Sequence, residues 1–193
     1  MKSRFVVLVF VAFVINVTPA LAASYDLDLA HTRIGFAVRH MVISEVRGEF
    51  LKFSGGFDLD EKGDLTNIRA TVDIASINTR VEKRDKHLRS PDFFDAKAYP
   101  TMTFVSKKVT HNGNKYTVVG DLTIKKVTRE MTLTGELLGR VVGFKGEHRA
   151  GFKGEGSINR KDYGINFHAL LEAGGMVVGD KVTILLDVEG IRK

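Results

Sequence analysis

From Tyr25 onward, apolar residues recur at every second position, with polar or small residues between them. Ile34, Phe36 and Val38 alternate with Arg33, Gly35, Ala37 and Arg39, and Ile68, Ala70, Val72 and Ile74 alternate with Arg69, Thr71 and Asp73. The period continues through Tyr116, Val118, Gly120, Leu122 and Ile124, then Met131, Leu133, Gly135 and Leu137, then Ala150, Phe152, Gly154, Gly156 and Ile158. It closes with Ile165, Phe167, Ala169 and Leu171, and with Val182, Ile184, Leu186 and Val188. A period of two marks antiparallel strands with one face buried. Turn residues separate the runs at 61–64, 111–114, 161–164 and 174–175. Eight or more such strands at short spacing predict an all-β fold, either a closed antiparallel barrel of about eight strands or a sandwich.

A membrane barrel would show the same period but needs an apolar outward band. Here the second face carries Arg69, Asp73, Asp121, Lys125, Glu136, Arg140, Lys153, Glu155, Asp187 and Glu189. Those charges belong in water, so the pattern predicts a soluble barrel with its apolar face inward. That inward face also holds Ala70, Gly120, Gly135, Gly139, Ala150, Gly154, Gly156, Ala169 and Ala173. So many small side chains leave an eight-stranded barrel underfilled, and a barrel of that size either packs solid or holds one small ligand. Strands of about ten residues at ~3.3 Å each give a lumen roughly 30 Å long before tilt, a shape suited to a chain-like apolar ligand.

One segment, 78–99, breaks the alternation. Thr79 and Glu82 have capping-box spacing, which predicts a short helix over 80–89 with Thr79 as its N-cap. Ser90-Pro91 reads as a second helical start carrying Phe93 and Phe94, so the predicted helical segment spans about 80–95 and Tyr99-Pro100 ends it. Arg80, Lys83, Arg84, Lys86 and Arg89 make the helix basic, with His87 beside them. A solvated charged face accounts for this. Beside a hollow barrel, the same cations could hold the head of a lipid whose tail fills the lumen.

Composition narrows the chemistry. The 193 residues contain no cysteine and no tryptophan, so disulfides, thiolate catalysis and cysteine-ligated metals are excluded. The formal charge is +6, from 29 Lys and Arg against 23 Asp and Glu. Part of it belongs to residues 1–22, which read as a secretory signal peptide. Lys2 and Arg4 precede the apolar run Phe5 to Ile15, and Ala20-Leu21-Ala22 offers a small-residue cleavage site. An apolar run of that length reaches about 16 Å as a helix, too short for a ~30 Å hydrocarbon core, so no transmembrane anchor is expected. Cleavage near Ala22 leaves one domain over 23–193, with 27 basic against 23 acidic side chains and a charge of +4. An exported chain without disulfides fits a bacterial periplasm.

Tyr25-Asp26-Leu27-Asp28, His31-Thr32 and Ile34-Gly35-Phe36-Ala37-Val38-Arg39-His40-Met41 resemble the opening motif of the YceI-like polyisoprenoid-binding family. Arg84-Asp85-Lys86-His87-Leu88-Arg89-Ser90-Pro91-Asp92-Phe93-Phe94-Asp95, with Tyr99-Pro100 and Phe104, resembles its central signature. Gly120-Asp121-Leu122-Thr123-Ile124, Arg149-Ala150-Gly151-Phe152, Arg160-Lys161-Asp162-Tyr163-Gly164-Ile165 and Val178-Gly179-Asp180-Lys181-Val182 resemble its later motifs. Lys126 departs from a turn glycine common in the family. The resemblance implies a lipocalin-like barrel, exported, dimeric in many members and so a candidate homodimer here. It implies a long chain inside: a polyisoprenoid, an isoprenoid quinone or a fatty-acid-like lipid, carried or stored.

From the residues themselves, the expected lumen wall is Phe36, Val38, Phe93, Phe94, Met102, Phe104, Phe167 and Leu171. The expected head-group contacts are His40, Arg84, His87 and Arg89. No catalytic residue, metal ligand or cofactor is assigned. Ser157 lacks a nucleophile-elbow context, and His31, His40, His87, His111, His148 and His168 show no metal-ligand spacing. His31 and His40 are the histidine pair of most interest, expected to hydrogen-bond within the barrel. No aromatic stacking stripe supports a nucleic-acid partner. Two other readings stay open beside the lipid binder: an enzyme acting on a lipid in the same cavity, and a structural barrel with a packed interior.

Overall fold

The computed structural model describes residues 22–41, 43–168 and 177–193. Its strands are β1 (Ala23–Leu27), β2 (Arg33–His40), β3 (Ser44–Phe50), β4 (Phe53–Leu59), β5 (Leu65–Asp73), β6 (Ile77–Asn78), β7 (Thr101–Asn112), β8 (Lys115–Ile124), β9 (Val127–Val142), β10 (His148–Asn159) and β11 (Val178–Arg192). All pairings are antiparallel. Ladders join β1, β4, β5, β7, β8, β9, β10 and β11 in that order, and Tyr25 pairing with Arg192 brings β11 back to β1. The result is a closed eight-stranded barrel. β2, β3 and β6 extend the wall toward one end: β2 pairs with the first half of β11, β3 with β2, and β6 with β3. The break between β1 and β2 is a turn in which the Thr32 N–H donates to the Asp28 carbonyl at 2.8 Å.

The alternation of β8 is complete, with Tyr116, Val118, Gly120, Leu122 and Ile124 buried and their neighbours more exposed. The predicted strand through Ile165 and Phe167 does not form. Residues 160–163 make a single 3-10 turn, ended by Gly164 at φ 71°, and no strand covers 165–168. The remainder of that run, with Ala169, Leu171, Ala173 and the 174–175 turn, lies outside the described residues, as does the 1–21 stretch.

An aromatic plug fills one end of the barrel. Tyr25 stacks on Phe57 at 5.1 Å, and Phe152 stands edge-on to Phe57 at 5.3 Å and to Tyr116 at 5.7 Å. Leu59, Leu65 and Ala150 complete this cluster, and the Tyr116 hydroxyl donates to the Gly63 carbonyl at 2.8 Å. The other end is overlain by the 74–100 connection.

That connection contains one short helix, α1 (Glu82–Leu88), rather than the predicted 80–89, and its N-cap is Val81. Thr79 does not cap it. Instead the helix reaches back: the buried Asp85 carboxylate accepts the Thr79 N–H at 2.9 Å and the Thr79 O–H at 2.5 Å. The segment after Ser90 forms successive turns, not a second helix. They close on themselves through Phe93 N–H to the Ser90 carbonyl and Tyr99 N–H to the Asp95 carbonyl. A second buried cluster of Phe93, Leu122, Ile124, Met131, Tyr163 and Ile165 seats this segment on the barrel.

Glycine plays a different part from the one expected. A Cβ on Gly120 would stand 2.5 Å from the Phe104 ring, and one on Gly156 would stand 2.8 Å from Leu133. These inward glycines make room for neighbouring side chains, not for a ligand. The turn between β8 and β9 places its positive φ (55°) at Lys125, so Lys126 needs no glycine there. Lys125 extends its ammonium to the Phe93 carbonyl at 3.1 Å, tying that turn to the connection above it.

Candidate functional site

Between the aromatic plug and the 74–100 connection lies an internal cavity of about 230 Å³. One water molecule needs only ~10–15 Å³ by the same kind of measure, so the space is far larger than a packing defect. Along β11 its wall runs from Val178 to Val188, ten residue steps. At ~3.3 Å per residue and a tilt of roughly 40°, the cavity spans about 25 Å of the barrel axis. The wall is built from the inward positions of nearly every strand, among them Ile34, Ile68, Val72, Leu122, Ile184 and Leu186. A cavity lined in this way stays dry and favours apolar occupants.

Six of the eight residues expected on the wall stand there: Phe36 and Val38 from β2, Met102 and Phe104 from β7, and Phe93 and Phe94 from the connection. Phe167 does not. It packs against Phe93 with ring centroids 4.7 Å apart and stands edge-on to the His87 ring at 5.0 Å. Leu171 lies outside the described residues.

The four expected head-group residues are not gathered into one site. The Arg84 guanidinium is spent on Thr79, with Nε donating to the hydroxyl at 2.7 Å and Nη2 to the carbonyl at 2.8 Å. Arg84 therefore braces α1 and is not on the cavity wall. His87 stands edge-on to Phe93 at 5.0 Å and lies 3.0 Å from an Asp92 carboxylate oxygen, on the exposed side of that cluster. Arg89 reaches the Ala75 carbonyl at 3.4 Å, and His40 ends β2 opposite Val178. His31 and His40 lie at opposite ends of β2 and form no pair.

Two features were missed. Arg160 is buried, is among the residues lining the cavity and is held by the carbonyls of Gly179 on β11 and Ile165 beyond the 3-10 turn. Its only sequence signal was its place in the motif that runs through Tyr163 and Gly164. The second feature is an ionic clasp outside the barrel wall near the plugged end. Arg149 Nη1 contacts Asp28 at 2.7 Å and Glu189 at 2.5 Å, and its Nε contacts Glu147 at 2.9 Å. Hydrogen bonds from His31 and then from Arg149 hold Asp28 at about 2, and the Asp28 partner raises His31 above its ordinary value. Ligand atoms of Asp28, His31 and Glu189 lie within 4.8 Å of one another. Both carboxylates are already committed to Arg149, and the group clamps the β1–β2 break against β10 and β11.

A family model described as the YceI-like domain matches residues 25–190. The chain belongs to the YceI-like family. It is 39% identical over 185 residues to a UPF0312 protein of Photorhabdus laumondii, covering 94% of this chain and 93% of that one. The YceI protein of Campylobacter jejuni, solved as a crystal structure, shares 33% identity over 80% of this chain and 90% of its own, with a TM-score of 0.70. A polyisoprenoid binding domain from Saccharophagus degradans has the same fold at 16% identity, with a TM-score of 0.64 over 89% of this chain and 99% of its own. These YceI-like relatives bear out the expected barrel. Among the described residues, no helix is long and apolar enough to cross a membrane.

Proposed function

We propose that this YceI-like barrel is exported to the periplasm and binds one long apolar chain in its lumen, for transport or storage. The observation that carries the reading is the cavity: continuous, about 230 Å³, and walled by aliphatic and aromatic side chains from β2 around to β11. A membrane-derived chain such as a polyisoprenoid, an isoprenoid quinone or a fatty-acid-like lipid has the matching shape. The polyisoprenoid named for the Saccharophagus degradans domain supports the same class of ligand. Export rests on residues 1–22, whose basic start, apolar run and Ala20-Leu21-Ala22 site form a signal peptide removed near Ala22.

Binding follows from area burial. Each buried methylene contributes ~0.8 kcal/mol, so a tail of about 15 carbons gains a gross ~12 kcal/mol. Association costs on the order of 4–15 kcal/mol, so affinity depends on how closely the chain fills the lumen. Binding is the reading that a wall of aliphatic and aromatic side chains supports. Titration with a fluorescent fatty or polyprenyl probe tests this. Saturable uptake of one probe per chain supports the reading, and absence of uptake for both probe types refutes it.

A further inference from the structure

We propose that the barrel end carrying the 74–100 connection docks on an anionic lipid bilayer. Its exposed cations meet the headgroups, and the tip of the β2–β3 hairpin enters the surface. The inference rests on the lipid-binding reading above and names the surface with which the lumen exchanges its chain.

Strand directions place four connections at that end. β2 ends at His40 opposite Val178, where β11 begins, and β10 ends at Asn159 opposite Lys181. The β8–β9 turn follows Ile124, and the 74–100 connection overlies the cavity through Leu88, Phe93 and Phe94. These pieces touch one another. The Met41 N–H donates to the Val177 carbonyl at 3.0 Å, and Lys125 reaches the Phe93 carbonyl at 3.1 Å. Gly48 on β3 lies against the connection, where a Cβ would stand 2.8 Å from the Thr79 methyl carbon.

Charge divides between the two ends of the barrel. Among the described residues, the connections 74–100, 125–126 and 160–168 carry ten lysines and arginines against five acids, a net +5. The three turns at the plugged end, 60–64, 113–114 and 143–147, carry two against four, a net −2. At the basic end Arg80, Lys83, Lys86, Lys97 and Lys126 are exposed, and among the described residues their side chains make no ion pair. Two exposed acids there, Glu82 and Asp162, are also unpaired. α1 buries Asp85 and half-buries Leu88, which leaves Lys83 and Lys86, three apart on the helix, in solvent together.

Apolar residues share this end with the cations. Ile43, at the hairpin tip, is 86% exposed, and Met41 and Val81 are exposed as well. Cations alone suit any polyanion. Cations with an exposed apolar tip suit a bilayer, where headgroups take the charge and the interface takes the side chains. Phe144 is exposed at the plugged end too, but the turns around it are net negative, and an anionic surface repels them.

The test is sedimentation of the purified protein with vesicles of phosphatidylcholine alone and of phosphatidylcholine mixed with phosphatidylglycerol. The mixed vesicles are expected to bind at least about tenfold more tightly at low salt, and raising the salt to about 0.5 M should remove the difference. Lys83→Gln combined with Lys86→Gln should weaken that binding about 10- to 30-fold, and Ile43→Ser about tenfold. Phe144→Ser should leave it unchanged. Uptake of a fluorescent fatty or polyprenyl probe, measured without vesicles, should be the same in all of these variants. No binding to either vesicle, equal binding to both, or loss of binding in Phe144→Ser overturns the docking while probe uptake keeps the lumen reading. Binding to soluble polyglutamate as tight as to the mixed vesicles assigns this end to an acidic chain and overturns it as well. Vesicle binding without uptake of either probe overturns the lipid-binding reading alone.

Discussion

Replacing Asp85 by alanine removes the group around which the connection above the cavity is organised. Its buried carboxylate accepts two hydrogen bonds from Thr79, at 2.9 and 2.5 Å, and Arg84 completes the unit through two further bonds to the same threonine. Hydrogen bonds to a charged acceptor contribute about 1.5–3 kcal/mol each, and water entering the vacated site recovers part of that, so a net loss near ~3 kcal/mol follows. With a urea slope of about 2–3 kcal/mol/M, the unfolding midpoint should fall by roughly 1–1.5 M. Asp85→Asn keeps one acceptor and should fall by about half as much. The effect extends to the site, because Leu88, Phe93 and Phe94 reach the cavity wall from the segment that Asp85 fixes. A bound fluorescent fatty probe should therefore exchange faster from the alanine variant than from the parent. Urea titrations followed by circular dichroism give the midpoints, and stopped-flow displacement gives the exchange rate. An alanine variant within ~0.2 M of the parent would refute the assignment of Asp85 as the clamp.

Three other outcomes are expected. Gly120→Ala should destabilise by about 1–3 kcal/mol, since its Cβ meets Phe104 at 2.5 Å and the Val105 carbonyl at 2.6 Å, whereas Gly139→Ala, with nothing within 4 Å, should be near neutral in thermal melts. Ala70→Phe places a ring in the cavity; displacing two methylenes of the chain should weaken probe binding by about tenfold without lowering the melting temperature. The Asp28–His31 pair should give stability a window in pH. Asp28, depressed to about 2, contributes fully above its ordinary 3.8 and loses that contribution as pH falls through 2, while the raised His31 contributes fully below 6.5 and loses it as pH climbs past its folded value. Asp28→Asn should flatten both limbs of a urea-midpoint profile, and a profile parallel to that of the parent would remove the pair from the account.

The barrel could be read from the chain because its strands obey a period set by burial on one side, and β8 obeys it without exception. The inward phase of Phe36, Val38, Met102 and Phe104 follows from the same rule, and these four reach the cavity wall. What the period does not encode is where side chains from different strands meet. Gly120 and Phe104 are on paired strands, and only their register shows that the glycine accommodates the ring. The capping-box spacing at Thr79 and Glu82 was misleading because a buried carboxylate one turn further on, Asp85, accepts the Thr79 N–H that the box assigns to Glu82 and the Thr79 O–H as well. The cluster of cations on α1 suggested a head-group site, yet Arg84 is consumed locally, and the buried arginine among the wall residues, Arg160, comes from a turn more than 70 residues later. Arg149 on β10 gathers Glu189 from β11, Asp28 from the β1–β2 turn and Glu147 from the β9–β10 connection, which no spacing rule reveals.

The central claim is that the lumen holds a lipid, and the most direct measurement is native mass spectrometry of the protein purified gently from its own host. The account predicts an apolar molecule bound one per chain, released on unfolding and identified in the organic extract as a long chain. A protein that emerges empty, and that then takes up neither a polyprenyl nor a fatty probe, contradicts it.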